Sequence, residues 1–267
     1  MRIVVVDDIE EVTFTVSRAL EGTPHEVESA LEPRLLPSML ADGHLDLAFV
    51  DLDFGYATRH ETGLTALRHL AAHQVPAIIY SADSEENRLL FLLAAFQFYR
   101  PVTLLPKNTT AVQIHDLVNQ LEQNAMVLTP DPTGDPYRPR PGQVSAIDRL
   151  IRRADDLRLW RALSMHSRRT EVASASGFSP RSVDKFLDAT GDVVEQIGSI
   201  LPSNRENLRG LSPSAAVKRE LLATAHAFAV THYRFFADAE IRTLIEARDK
   251  RNPHPPSTDA RAGRRGR

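Results

Sequence analysis

Through the first half of the chain, short apolar runs alternate with segments whose apolar residues recur at helical spacing. The runs are Ile3–Val6, His25–Ala30, Leu47–Val50, Ala77–Tyr80 and Val102–Leu105. Between them, Val12, Val16, Ala19 and Leu20, then Leu64, Leu67 and Leu70, then Leu89, Leu92, Leu93 and Phe96, and finally Val112, Leu117 and Leu121 mark one face of successive helices. Five such β/α repeats predict an α/β fold, a doubly wound five-stranded parallel sheet covered on both faces. Right-handed crossovers then put the ligand crevice at the carboxyl ends of the strands.

The pattern breaks after residue 124. Between 125 and 144 stand Pro130, Pro132, Pro136, Pro139 and Pro141, which fix φ and remove donors, so this stretch reads as an extended, semi-rigid linker. From 145 to 250 the periodicity is helical, opening with Ile147, Leu150, Ile151 and Ala154, and an all-α domain is expected. Residues 251–267, rich in arginine and proline without apolar periodicity, read as a disordered basic tail.

At 267 residues the chain is long enough for two domains with separate cores. The absence of cysteine removes disulfides, thiolate metal sites and cysteine nucleophiles, and fits a cytoplasmic protein. The run Ile3–Val6 is too short for a signal segment or a membrane span, so no membrane partner is expected. A net charge of −3 gives no overall attraction to nucleic acid, so such a partner would need a local patch.

The acidic residues fall where the crevice is predicted. Asp7 and Asp8 follow the first run, and Asp51 ends the third. Two like charges about 4 Å apart repel by roughly 4 kcal/mol at an effective dielectric of about 20, so these carboxylates must take protons or collect a cation. A hard divalent ion that keeps waters, Mg²⁺, suits them. Ser81 after the fourth run and Lys107 after the fifth add a hydroxyl and an ammonium at the same edge, completing a set able to bind a phosphoryl group.

The acidic pair in VVVDD, the acceptor in AFVDLD, the hydroxyl in IIYSAD and the lysine in LLPKN resemble, in order and position, the flavodoxin-like receiver domains of bacterial two-component response regulators. The resemblance covers about the first 123 residues. It implies that Asp51 accepts a phosphoryl group from a sensor histidine kinase. It further implies that Asp8, Asp51 and the main-chain carbonyl of Asp53 bind Mg²⁺ while Asp7 assists through water, that Lys107 pairs with phosphoryl oxygens, and that Ser81 turns toward them. Three features depart from the family: Gly63 comes late, lengthening the segment Phe54–Thr62 over the pocket; Asn108 replaces a proline; and Leu104 replaces the usual aromatic switch partner. They leave the acceptor chemistry in place and alter the relay to the output surface.

In the second half, EVASASGFSPRSVDKFLDATG reads as a helix-turn-helix near 169–190, with Gly177 for a positive-φ turn, Ser179 as N-cap and Pro180 in the first helical position. Val183, Phe186, Leu187 and Thr190 form its buried stripe. On a DNA-binding reading, Arg181, Ser182 and Lys185 face base edges, and Arg168 and Arg169, with Arg152, Arg153, Arg158 and Arg161, hold phosphates. Loosely, this resembles response-regulator output domains. Asp184 and Asp188 favour the alternative, a protein-binding bundle. Further on, Val217, Leu221, Ala225, Phe228, Phe235 and Leu244 fit one or two long helices, packed within the domain or serving a homodimer. His226, His232 and Trp160 read as core residues.

Together these features predict a non-enzymatic response regulator with a DNA-binding helical output. The alternatives are a protein-binding output or a degenerate receiver regulated without phosphorylation. An aspartate-nucleophile phosphohydrolase would need a second acid two residues after the nucleophile, and Asp53 occupies that place.

Overall fold

The computed structural model of the chain describes residues 1–54, 61–81, 88–198 and 215–251. Strands β1 (Arg2–Val6), β2 (Glu26–Ala30), β3 (Leu47–Val50), β4 (Ala77–Ser81) and β5 (Thr103–Pro106) form one parallel sheet in the order β2-β1-β3-β4-β5. Helices α1 (Glu10–Ala19), α2 (Leu36–Asp42), α3 (Gly63–Ala72), α4 (Leu89–Phe98) and α5 (Ala111–Gln123) alternate with the strands. This is the doubly wound, flavodoxin-like layer expected from the pattern. α2 left no periodic signal because Leu36 is the one residue it buries.

The strands sort their side chains with a period of two. Val4, Val6, Ala48, Val50 and Ile79 face α3 and α4, whereas Ile3, Val5, Phe49, Ile78 and Tyr80 face α1 and α5. Val6 pairs with Val50, so the residues that follow, Asp7 and Asp51, emerge side by side at the point where the strand order reverses. Gly63 starts α3 against the turn after β3. A Cβ there would lie 2.1 Å from the carbonyl oxygen of Asp51, so only glycine lets the helix approach so closely.

Part of the proline-rich stretch, from Asp131 to Arg138, is tied to the sheet half. Asp131, 2% exposed, accepts bonds from Thr103 Oγ1 (2.6 Å), the Gly134 N–H (3.0 Å) and Arg138 Nη2 (2.7 Å). Arg138 also lies over the Phe96 ring. This buried ion pair fastens the proline-rich stretch along β5 and α4, a tie that proline content alone does not disclose.

The second half is built of α6 (Ala146–Leu150), α7 (Ala154–Met165), α8 (Arg169–Ser176), α9 (Pro180–Gly198), α10 (Ala215–Thr231), α11 (Tyr233–Ala237) and α12 (Ala239–Arg251), with no strand among the described residues. Trp160 is its anchor: it is fully buried, stacks on Phe236 with centroids 4.9 Å apart, meets Phe186 edge-on, and donates through Nε1 to the Leu150 carbonyl. The expected long C-terminal stripe is instead broken between α10, α11 and α12. Of the stripe, Ala225 and Phe235 are buried within the chain, as are the neighbouring Ile241 and Ile245, while Leu221, Phe228 and Leu244 are half-buried. His226 binds the Leu163 carbonyl and His232 is buried against Phe228, as core histidines. Of the tail, all but Arg251 lies outside the described residues, as does most of the segment Phe54–Thr62. Among the described residues no helix is long and apolar enough to cross a membrane.

The two halves share one core. In α4, LLFLLAAFQF, every residue from Leu89 to Phe96 is buried. A helix that is apolar all round must be covered all round; here one side meets the sheet and the other meets the helical half, where Phe91 contacts Phe235 edge-on at 5.3 Å. Burying one such Leu or Phe contributes about 1.5–3 kcal/mol, so separating the halves would expose several such increments. The chain is therefore expected to unfold as one unit. Trp160, its single tryptophan, reports the helical half, so its fluorescence transition should coincide with that of far-ultraviolet circular dichroism; two separated transitions would show independent domains.

Candidate functional site: a carboxylate cluster bridged by three cations

The strand ladder runs directly into the site. Asp7 N–H donates to the Ala30 carbonyl (3.2 Å), Asp51 N–H to Val6 (3.0 Å) and Lys107 N–H to Ser81 (3.1 Å). Each residue is thus fixed by one backbone bond just past the end of a strand. One oxygen from each of Asp7, Asp8 and Asp51 lies within 4.8 Å of the others. Lys107 Nζ bridges Asp7 and Asp51 at 2.7 Å each. Asp51 Oδ1 accepts from the Leu52 N–H (2.7 Å) and from Ser81 Oγ (3.1 Å). The residues expected at this edge, Asp7, Asp8, Asp51, Asp53, Ser81 and Lys107, are indeed brought together.

Two arginines that sequence reading passed over complete the site. Arg88, just before α4 and 8% exposed, donates through Nη1 to Ser81 Oγ; that nitrogen lies 3.6 Å from Asp51 Oδ1, while Nη2 lies 3.9 Å from Asp53. Arg234, from α11 of the helical half, binds the Asp53 carboxylate through Nη1 and the Phe54 carbonyl through Nη2 (2.9 Å). Signals for both exist in hindsight. Arg88 abuts a wholly apolar helix, and Arg234 is a lone cation in the aromatic run YRFF, so each must have a buried or half-buried partner. Nearby, Thr62 Oγ1 donates to Asp238 (3.1 Å), while Arg68 Nε (2.9 Å) and the Tyr99 hydroxyl (2.6 Å) both donate to Glu240. Burial pushes the Asp238 carboxyl up, against the bonds it accepts from the Ile241 N–H and Thr62.

Charge balance follows from burial and pairing. Asp7 is pushed up to about 6, mainly by burial and also by Asp51, with Lys107 opposing. For Lys107, burial works against the ammonium, but Asp51 and Asp7 outweigh it and hold its pKa above the usual value. The donor set fits a hard divalent cation: three carboxylates converge, and Asp8 is exposed, giving water a way in. Among the described residues this is the one such cluster able to hold a metal.

In the second half, α8 and α9 are joined by a short turn with Gly177 at φ +76°, and Ser179 caps α9 by accepting from the Ser182 N–H (3.1 Å). Val183, Phe186, Leu187 and Thr190 are buried as expected. Arg181 and Lys185 are exposed on α9, and the Ser182 hydroxyl is 2.9 Å from that of Ser179. Arg169 is paired with Asp184 (2.9 Å) and Arg168 with Glu171 (3.5 Å). The further phosphate candidates are partly spent: Arg161 donates to the Phe236 carbonyl, Arg152 pairs with Asp156 and Arg158 with Asp155.

Solved structures to which the chain is similar include response-regulator receiver domains. One, a response regulator from Thermotoga maritima, is 19% identical, covering 46% of this chain and 97% of its own with a TM-score of 0.38; TrrA from the same organism, solved with Mg²⁺ and BeF, is 18% identical over 45% and 97%, with a TM-score of 0.37. RcsB from Salmonella enterica serovar Typhimurium, solved bound to the promoter rprA with the phosphomimetic BeF3⁻, is 12% identical, covering 84% of this chain and 98% of its own with a TM-score of 0.43. No protein-family description matches the chain, and no curated protein does.

The buried Asp7 yields a pH dependence with a definite sign. An acid whose folded pKa exceeds its unfolded value of 3.8 favours the fold only while protonated, so its contribution is greatest below about pH 4 and is lost as pH rises through about 6. In metal-free buffer, Asp7→Asn should therefore gain stability on wild type across that window, by up to about 3 kcal/mol. Denaturant titrations at pH 4 and 7 measure the difference, and an equal gap at both would contradict it.

Proposed function

We propose that this chain is a response regulator that receives a phosphoryl group on Asp51 and passes the signal to its helical half. The observation that carries the reading is the buried Asp51 at the strand-order reversal, bonded to Lys107 at 2.7 Å and to Ser81 at 3.1 Å beside a convergent carboxylate pair. The donor this reading calls for is the phosphohistidine of a sensor kinase. An Asp51 oxygen attacks phosphorus, the bond from phosphorus to the imidazole nitrogen breaks, the imidazole leaves with the electron pair, and an acyl phosphate remains. Lys107 holds phosphoryl oxygens, and the Ser81 hydroxyl, now donating to Asp51, turns to them. Asp7, Asp8 and Asp51 would hold Mg²⁺, which when bound offsets the negative charge on those oxygens. The main-chain carbonyl of Asp53 belongs to the same proposed set.

The phosphoryl group carries a charge of roughly −1.5 to −2 in place of the single charge of the Asp51 carboxylate. The element positioned to feel it is Arg234, which joins the helical half to Asp53 and Phe54, two and three residues after the acceptor. This contact also supports a signalling reading over a phosphohydrolase, because the carboxylate that would serve as acid is held by a guanidinium. Phosphoryl incorporation from acetyl phosphate with Mg²⁺, read by intact mass, should occur in wild type and vanish in Asp51→Ala. Absence of incorporation in wild type would favour a receiver regulated without phosphorylation.

For the output we propose DNA binding as a helix-turn-helix, with α9 in the major groove, Arg181, Ser182 and Lys185 toward bases, and Arg168 and Arg169 toward phosphates. The Gly177 turn and the Ser179 cap support it; the ion pairs of Arg168 and Arg169 must open first, at the cost of weak surface bridges worth about 0–1 kcal/mol each. Arg181→Ala and Lys185→Ala should each weaken salt-dependent binding by about tenfold or more, measured by titration of fluorescent operator fragments. Undiminished binding by both would remove α9 as the reading helix, and no DNA binding at all would turn the output reading to a protein partner.

A further inference from the structure

We infer that Arg88 is a second phosphoryl-binding cation of the acceptor site, holding phosphoryl oxygens on the Ser81 side while Lys107 holds them on the other. The inference rests on the phosphoacceptor reading of Asp51. Arg88 Nη1 reaches both Ser81 Oγ and the neighbourhood of Asp51 Oδ1, and Lys107 Nζ touches Asp51 Oδ2. The two cations thus each lie near a different oxygen of one carboxylate. A phosphoryl group formed on Asp51 enters the space beside them, and a guanidinium presents paired N–H donors suited to phosphoryl oxygens.

Burial makes the assignment stronger. Arg88 is 8% exposed and sits at the start of a helix that is itself covered, so its charge is poorly screened by water and interacts strongly with the anions of this site. Among the described residues, Lys107, Arg88 and Arg234 face Asp7, Asp8, Asp51 and Asp53. Before phosphorylation, Arg88 therefore opposes a divalent cation by occupying the field that would attract it. Once the phosphoryl group has formed, its charged oxygens have replaced the single charge of the Asp51 carboxylate, the site has gained about one negative charge, and the same arginine is attractive to it. It acts with opposite sign on the metal and on the phosphoryl group.

That opposition gives the test. Wild type, Arg88→Gln and Arg88→Lys are compared by two readouts: the rate of phosphoryl incorporation from acetyl phosphate at saturating Mg²⁺, by intact mass, and the Mg²⁺ concentration giving half of the thermal stabilisation with Mg²⁺ alone. Arg88→Gln should slow incorporation about tenfold to hundredfold while lowering the half-saturating Mg²⁺ several-fold. Arg88→Lys, which keeps the charge but not the paired donors, should need about as much Mg²⁺ as wild type and incorporate phosphate at a rate between wild type and Arg88→Gln. An unchanged rate in Arg88→Gln would overturn the assignment, as would weaker Mg²⁺ binding accompanying the slower rate, which is what a damaged pocket produces. Failure of wild type to incorporate phosphate would instead defeat the phosphoacceptor reading, and this assignment with it.

Discussion

Four carboxylates crowd one edge of the sheet, and the architecture around them answers the cost of holding that charge out of water. The parallel ladder sets the problem, because β1 and β3 are neighbours in register and end together, delivering Asp7 and Asp51 side by side. Lys107 relieves part of it by bridging the two at 2.7 Å. Arg88 relieves more from the start of α4, and Arg234 comes from the other half of the molecule to meet Asp53. The contact between the halves is thus tied to the electrostatics of the site as well as to burial of apolar surface.

The apolar part of that contact is carried by α4. Its faces are alike, with Leu and Phe all round, so neither the sheet nor the helical half alone satisfies it. Phe91 against Phe235 and Tyr99 with Arg68 on Glu240 show apolar and polar contacts interleaved along α11 and the start of α12. Asp238 serves twice, accepting from Thr62 across the boundary and from the Ile241 N–H at the start of α12. The element that fastens the helical half to the sheet therefore has its own N-terminus organised by the same residue.

Much of this was legible in the sequence. Strand runs announced the doubly wound sheet because period-two burial and short covered strands leave little latitude, and the carboxylates, Ser81 and Lys107 were found because strand ends fix where they emerge. The Gly177 turn and Ser179 cap were legible for the same local reason. What escaped were relations between distant segments. α4 was noted only for its helical spacing, although an apolar helix without a polar face already implies a second cover. Arg88 and Arg234 carry no motif, and their roles depend on chain that folds back from nearly two hundred residues away in the case of Arg234 and Asp53. The proline-rich stretch reads as a semi-rigid linker because proline speaks for backbone stiffness and is silent about a buried Asp131.

Both flanks of residues 55–60 are fastened by the helical half: the Phe54 carbonyl by Arg234, and Thr62 by Asp238. Immediately beyond, Gly63 rests on the backbone of Asp51. The placement of Phe54 and Thr62 is thereby dictated by the helical half as much as by the sheet. Modularity, the ease with which signalling chains exchange one output for another, is curtailed here. A recombinant that swapped the helical half for a foreign one would strip two anchors from the chain close to Asp51, and Phe54 and Thr62 would have to be exchanged with it.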